Sequence, residues 1–226
     1  KPKPIEREEA PKGIPLPSPI PNGARILIQK VFEPGEHVRI VVGEYDDDHE
    51  NPKDRPTDSG NILPIEYWLN KLEEKGGDPN GIFRTTAALQ PGIFIGLNPL
   101  SAKGIKDSDV TAFRHALIEF DDIPLEAQYE LIVNSKIPCS AVIHSGGKSI
   151  HAWVKVNAID RQEFDERVKI LHDLFGAYGV DKQNRNPARL SRLPNCKRGN
   201  ERQELLAMDI GAASFTEWQI EREVET

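Results

Sequence analysis

Alternating and helically spaced apolar positions along this chain predict both strands and helices. Branched apolar residues are dense at 24–32 and 37–45, on either side of a turn at Pro34 and Gly35, which predicts two strands paired as a hairpin. Residues 64–75 begin with proline, carry apolar positions at helical spacing and end at two glycines. A short helix is therefore expected there.

The rest of the first half contains less regular segments. Apolar runs at 81–89 and 92–100 predict two more strands, and the acidic stretch 44–61, rich in turn-forming residues, predicts an exposed loop. The first 22 residues hold seven of the 18 prolines and almost no apolar periodicity, so 1–22 is expected to be an extended tail or linker, with further protein preceding it.

The second half has a recognisable order of elements. A buried strand at 110–122 ends in acidic residues, a helix starts at Pro124, and two apolar strands flank 145–148 as a hairpin. A longer helix follows, begun by a capping box at Asp160 and stopped at Gly179, and a short strand comes after it. Strand, helix, hairpin, helix and strand is the order of an RRM-like unit, which predicts an α+β fold.

The strand at 110–122 carries two acids on one face. Period-two alternation places Glu119 and Asp121 on the same side as His115, opposite Ile118 and Phe120. Two neighbouring carboxylates on an apolar strand repel each other and lose hydration, and a bound divalent cation removes that cost. Metal binding explains why both acids stand on one face of an apolar strand. The alternative is that an isolated Glu-x-Asp pair lies at the solvent-exposed end of the strand.

The hairpin offers a second set of polar groups. Alternation places Ser149 and His151 on one face, next to Lys148 and two glycines whose amides can approach a ligand closely. A hydroxyl, an imidazole and an ammonium group together suit a nucleotide's phosphates. The stretch is not a P-loop, because Val142 stands where that motif needs glycine and a strand follows the serine.

The third set lies at 179–198, where Asp181 follows Val180 and precedes a series of basic residues. The formal net charge is -7, which argues against a nucleic-acid partner, but residues 182–202 alone carry about +6. A third carboxylate beside guanidinium groups would complete a two-cation site for nucleotidyl transfer.

Composition argues against a membrane protein and against a protein held by zinc or disulfides. No apolar run approaches the roughly 18 residues of a membrane span, so we expect a cytoplasmic protein that does not contact a membrane. The only cysteines, Cys139 and Cys196, form no Cys-x-x-Cys pair, which argues against a zinc site or a disulfide framework.

In this order, the three segments resemble the motifs of the archaeo-eukaryotic primase superfamily, in particular primase-polymerases of phages, plasmids and other mobile elements. The resemblance covers about residues 105–200. The superfamily's first motif is a pair of acids that ends a strand, and Glu119 and Asp121 match it. The second motif is Ser-x-His, matched by Ser149 and His151 after Lys148. The third is an apolar residue followed by an acid, matched by Val180 and Asp181. The downstream matches are Asn186, Arg189, Leu190, Arg192 and Lys197. The first acid is glutamate where aspartate is more usual, and the zinc-binding cysteines of some relatives are absent.

The resemblance implies a primase-polymerase fold of two lobes with the active site in a cleft between them: an N-terminal lobe at 23–104 and an RRM-like half at 105–226. It implies that Glu119, Asp121 and Asp181 hold two Mg²⁺ or Mn²⁺ ions and catalyse addition of dNTPs or NTPs to a primer on a DNA template. The nucleotide-binding residues would be Lys148, Ser149, His151, Asn186, Arg189, Arg192 and Lys197. A helicase or other domains are expected as partners.

Two other classes stay open. A non-catalytic RRM-like nucleic-acid-binding module would use the basic stretch alone, but the run of exposed aromatics on which such modules stack bases is missing. A replication-initiator nuclease would use a His-x-His metal pair, and no such pair occurs. Metal-dependent nucleotide incorporation separates the three.

Overall fold

Two sheets and a set of helices make up the part of the chain that the computed structural model describes, residues 8–45, 52–57, 60–83 and 91–225. The helices are α1 (Gly23–Val31), α2 (Ile65–Glu74), α3 (Pro79–Ile82), α4 (Leu125–Asn134), α5 (Arg161–Phe175) and α6 (Phe215–Glu225). The strands are β1 (His37–Tyr45), β2 (Pro52–Pro56), β3 (Asn61–Pro64), β4 (Ile93–Gly96), β5 (Phe113–Glu119), β6 (Cys139–His144), β7 (Ile150–Ala158), β8 (Leu190–Arg192), β9 (Cys196–Arg198) and β10 (Glu201–Ile210). The predicted α+β class is confirmed.

The first sheet has the order β2-β1-β4-β8, with β3 also paired to β1. The predicted hairpin of 24–32 with 37–45 is wrong, because 24–31 lies in helix α1. Its buried residues Ala24, Leu27, Ile28 and Val31 are spaced three and four apart, so helical periodicity prevailed over the β-propensity of branched side chains.

Two other predicted segments in the first half are only partly described. Residues 81 and 82 end the short helix α3 instead of starting a strand, and 84–90 lie outside the described residues. Within the predicted acidic loop, Pro52–Pro56 forms strand β2 against β1, while 46–51 and 58–59 lie outside the described residues.

The second sheet has the order β5-β7-β6-β10-β9. Strand β5, helix α4, the β6–β7 hairpin and helix α5 follow the predicted order, and Val180 then forms an antiparallel bridge with Phe120 at the free edge of β5. The fourth strand of the RRM-like unit is therefore reduced to one bridge. This bridge brings Asp181 beside the end of β5, where the Asp181 N–H donates to the Glu119 carbonyl (2.8 Å).

Apolar packing covers both faces of the second sheet, as alternation predicts. Leu117 and Trp153 face a core shared with α1, α2 and the first sheet. Ile118, Phe120 and Val154 face the opposite core, beside α5 and α6. Because both faces are anchored by buried apolar residues, the register of the sheet is fixed, and with it the position of every polar side chain at its ends.

The proline-rich segment lies against the domain over its described part. The Ile14 N–H donates to the Glu126 carbonyl (3.2 Å), and the Ile20 N–H donates to the Leu205 carbonyl (2.7 Å). Residues 8–22 form no helix or strand. Over its described part, this segment is held along the domain by backbone hydrogen bonds.

None of the helices in the described ranges is long and apolar enough to cross a membrane.

Candidate active site

A cavity of about 1190 Å³ lies where the two sheets meet. The first sheet contributes Arg39 of β1, Phe94 of β4 and Arg192 of β8, while the second contributes Glu119 of β5 and His151 of β7. This volume exceeds the roughly 300–1,000 Å³ of an ordinary small-molecule pocket. The cavity is therefore large enough for a nucleotide and part of a second ligand.

Nine of the ten residues singled out from the sequence line this cavity: Glu119, Asp121, Lys148, Ser149, His151, Asp181, Asn186, Arg189 and Arg192. Lys197 does not. Its neighbour Arg198 lines the cavity instead, because adjacent residues of strand β9 point to opposite faces.

Glu119 is held by three neighbouring polar side chains. Ser149 Oγ donates to Oε1 (2.8 Å), His151 Nε2 lies 3.2 Å from the same oxygen, and Asn184 Nδ2 donates to Oε2 (3.0 Å). Burial acts to raise the pKa of Glu119, but the interaction with His151 and the hydrogen bonds from Ser149 and Asn184 outweigh it, and its pKa lies well below the usual range. Glu119 is therefore a fixed, ionised carboxylate.

Asp121 and Asp181 are less tightly held. Lys148 Nζ lies 3.6 Å from Asp121 Oδ1, and Arg189 Nη2 lies 3.8 Å from Asp181 Oδ2. Burial and the negative charges of Glu119 and Asp181 raise the pKa of Asp121, although Lys148 acts in the opposite direction. The three carboxylates thus repel one another across one site, which is the electrostatic condition that a cation relieves.

The hairpin turn that carries Lys148 is anchored by helix α4. The fully buried Gln128 donates from Nε2 to the Lys148 carbonyl (2.8 Å) and accepts from the Ile150 N–H (2.7 Å). A Cβ at Gly147 would collide with the Arg198 guanidinium, so the glycine lets this arginine approach the turn closely. The turn therefore presents Lys148 and Ser149 at a defined position.

Basic side chains line much of the same cavity. The Arg192 guanidinium lies 3.7 Å from the centre of the Phe94 ring, a cation–π contact that orients it. Arg39, Arg55 and Arg198 line the same cavity. Together with Lys148 and Arg189 they give the site a positive wall suited to phosphate oxygens.

Asn186 takes part in a contact that the sequence did not predict. Its Nδ2 donates to Asp107 Oδ1 (3.1 Å), and Asp107 also forms an ion pair with Arg161 at the start of α5 (2.9 Å). Asn186 thereby ties the cavity rim at 105–108 to the segment that carries Arg189.

Sequence reasoning missed two buried residues behind the site. Asn184 and Ser191 are 2% and 0% exposed, and each contacts a cavity residue far away in the chain. Both stand in the segment downstream of Asp181, where only Asn186, Leu190 and basic residues were singled out from the sequence.

A divalent cation such as Mg²⁺ needs several oxygen ligands close together, and the three carboxylates of the cavity are the candidates. Among the described residues, no group of three or more His, Cys, Asp and Glu side chains is arranged as a metal centre. The chemistry still fits, because Asp121 and Asp181 offer the oxygen ligands that Mg²⁺ and Mn²⁺ prefer, and Glu119 Oε2 keeps one acceptor position beside its bond from Asn184. Cation binding would require Lys148 and Arg189 to give way.

Solved structures with the same fold include a primase-polymerase domain and two structures of a primase. The primase-polymerase domain of cyanophage S-2L superposes with a TM-score of 0.59 at 18% identity, over 92% of this chain and 99% of that one. The catalytic domain of primase RepB′, solved in complex with initiator DNA, gives a TM-score of 0.53 at 15% identity, over 90% and 93%. A longer RepB′ structure gives 0.54 at 15% identity, with 62% of its length covered.

Comparisons at the level of sequence add no relative. No family model matches the chain, and no curated protein matches it significantly. By structure, the chain has the fold of these primase and primase-polymerase domains, which is the fold that the sequence resemblance implied.

Proposed function

We propose that this domain is a primase-polymerase, a nucleotidyltransferase that adds nucleotides from dNTPs or NTPs to a template-paired 3′-hydroxyl. One observation carries the proposal. Glu119, Asp121 and Asp181 line a single cavity with Ser149, His151 and a wall of basic side chains, in a domain with a primase-polymerase fold.

The acids and the basic wall have different roles in this proposal. Asp121, Asp181 and the remaining position on Glu119 Oε2 would hold Mg²⁺ or Mn²⁺, which supplies charge neutralisation at the α-phosphate and a more acidic 3′-hydroxyl. Ser149, His151 and Lys148 would donate to the β- and γ-phosphates.

The arginines would divide between two phosphate ligands. Arg189 and Arg192 line the same cavity as the carboxylates. They would bind phosphate oxygens of the triphosphate or of the template backbone. Backbone contacts suffice for a templated enzyme, since base pairing supplies the sequence information.

DNA template and primer are the proposed macromolecular ligands. The similarity to a RepB′ domain solved with initiator DNA supports this choice. We further propose that the enzyme acts in the cytoplasm with a helicase or additional domains, as replication enzymes of mobile elements do.

The test is incorporation of labelled dNTPs or NTPs on a single-stranded template, with and without primer, in Mg²⁺ or Mn²⁺. We expect Asp121→Asn and Asp181→Asn each to lower the rate by roughly a hundredfold or more, since loss of even an outer partner of a metal ligand costs about 10–100-fold. Asp209→Asn is the matched control, because Asp209 pairs with Lys155 (2.6 Å) and does not line the cavity.

Each alternative class gives a different result in the same assay. Template binding without incorporation would indicate a nucleic-acid-binding module, and metal-dependent cleavage of the template would indicate a nuclease. Equal incorporation by wild type and both asparagine variants would overturn the proposed catalytic role of the acids.

A further inference from the structure

A chain of hydrogen-bonding groups runs from the core to the cavity behind His151. Trp153 Nε1 donates to Ser191 Oγ (2.8 Å), Ser191 Oγ lies 2.9 Å from His151 Nδ1, and His151 Nε2 lies 3.2 Å from Glu119 Oε1. Trp153 and Ser191 are both 0% exposed, and His151 is 5% exposed. Water therefore does not compete for these contacts, and the direction of each hydrogen bond is decided by the side chains alone.

The direction of the middle bond follows from counting donors. An indole N–H can only donate, so Ser191 Oγ accepts from Trp153. The Ser191 hydroxyl hydrogen then needs an acceptor, and within the described residues His151 Nδ1 is the one that lies within hydrogen-bonding distance. Leaving a buried hydroxyl hydrogen unpaired is costly, so donation from Ser191 to Nδ1 is the arrangement that satisfies every group.

The consequence appears at the other ring nitrogen. If Nδ1 accepts, a neutral imidazole carries its hydrogen on Nε2, which lies toward Glu119 in the cavity. The opposite tautomer would direct a lone pair at the Glu119 carboxylate and at any phosphate oxygen bound nearby. It would be repelled by both.

We propose that Ser191 and Trp153 are positioning residues for His151, which fix its ring so that Nε2–H points into the cavity, where it faces Glu119 in the free protein and exchanges this partner for a phosphate oxygen of a bound nucleotide. The proposal rests on the proposed function for the identity of that ligand. Neither residue lines the cavity, so they act through His151 and do not contact the nucleotide themselves.

The chain contains a matched control on the same sheet. His115 Nε2 lies 2.8 Å from Ser140 Oγ, and His115 and Ser140 are 4% and 7% exposed. Neither residue lines the cavity. Ser191→Ala and Ser140→Ala thus each remove one buried hydroxyl that contacts a histidine, but only the first is linked to the cavity.

The first measurement is the ¹⁵N spectrum of the full chain with labelled histidine at neutral pH, with His151 assigned by comparison with His151→Ala. We expect Nδ1 to resonate as a hydrogen-bonded nitrogen without a proton and Nε2 as a protonated one. In Ser191→Ala the Nδ1 resonance should move, and in Ser140→Ala it should stay. A protonated Nδ1 in the wild type, in either the neutral or the doubly protonated ring, would overturn the proposal.

The second measurement is steady-state kinetics of nucleotide incorporation. We expect Ser191→Ala to raise KM for the nucleotide roughly tenfold, the effect of losing one hydrogen bond to a charged group, with a smaller change in kcat. In a His151→Ala background the same change should have no further effect on KM. Additive effects would mean that Ser191 only stabilises the fold. If the wild type incorporates nothing, the proposed function fails, but the spectrum still decides the positioning of His151.

Discussion

The same face of the β5–β7 strand pair carries a buried histidine at each end, and the two ends differ in their charged neighbours and in access to the cavity. His115 pairs in register with Lys155 and His151 with Glu119, while Leu117 and Trp153 pair between them. Both imidazoles contact a serine hydroxyl. One contacts no cavity, however, and the other lines the cavity beside an ionised carboxylate.

The two ends place a buried histidine in different surroundings. At the closed end, which holds His115, burial and the nearby charge of Arg114 lower the pKa of His115 to about 3, so its ring stays neutral. At the open end, which holds His151, three side chains converge on Glu119, and basic residues line the same cavity. Neighbouring charges and access to the cavity therefore distinguish the two, and exposure alone does not.

The largest effect should come from removing the charge at the open end. We expect Glu119→Gln to lower nucleotide incorporation by at least about 100-fold and to weaken Mn²⁺ binding, because the amide offers no negative charge and places an N–H against the Asn184 donor. Incorporation assays and electron paramagnetic resonance of Mn²⁺ measure the two effects. Glu221→Gln, an exposed position on α6, is the control. If Glu119→Gln kept both its incorporation rate and its Mn²⁺ affinity, the open end would contribute as little to activity as the closed end.

The next effect concerns Asn184, which donates to Glu119 but does not line the cavity. We expect Asn184→Ala to reduce Mn²⁺ affinity and incorporation by about 10–100-fold, as for other groups that orient a metal ligand. Asn184→Asp should be worse than alanine, because it keeps the shape but faces Glu119 with a second negative charge. If the side chain served only to fill space, the aspartate variant would instead be closer to wild type than the alanine variant.

The sequence predicted which residues of β5 and β7 share a face, but not the buried polar side chains that contact them. Period-two alternation suffices to place Glu119 and His151 on one side, since strand geometry is local. Asn184 and Ser191 could not be assigned, because their partners lie 65 and 40 residues away and only the tertiary fold brings them together.

One error has a local physical cause. Helix α1 was missed because its branched residues favour a strand in isolation, whereas packing of one helical face against the core decides the outcome. The resemblance named Lys197, whereas its neighbour Arg198 lines the cavity, and the sequence alone does not show which of the two faces it until strand β9 is known.

The smallest effect on activity should come from the closed end, where His115→Gln is expected to leave incorporation at neutral pH unchanged but to alter the pH dependence of stability. His115 has a folded-state pKa of about 3 against an ordinary value of 6.5, so between these values the unfolded chain binds a proton that the folded one does not. The free energy of unfolding therefore falls with decreasing pH, by up to about 1.4 kcal/mol per pH unit from this group.

In His115→Gln this contribution is absent, so urea unfolding between pH 7 and pH 4 should show a shallower loss of stability than in the wild type. Ser140→Ala keeps the buried imidazole and should retain the wild-type slope, although it lowers the free energy of unfolding at every pH by about 1–3 kcal/mol through loss of a buried hydrogen bond. Equal slopes for His115→Gln and the wild type would mean that His115 accepts a proton within the folded state. Burial would then not suffice to keep the imidazole of His115 uncharged.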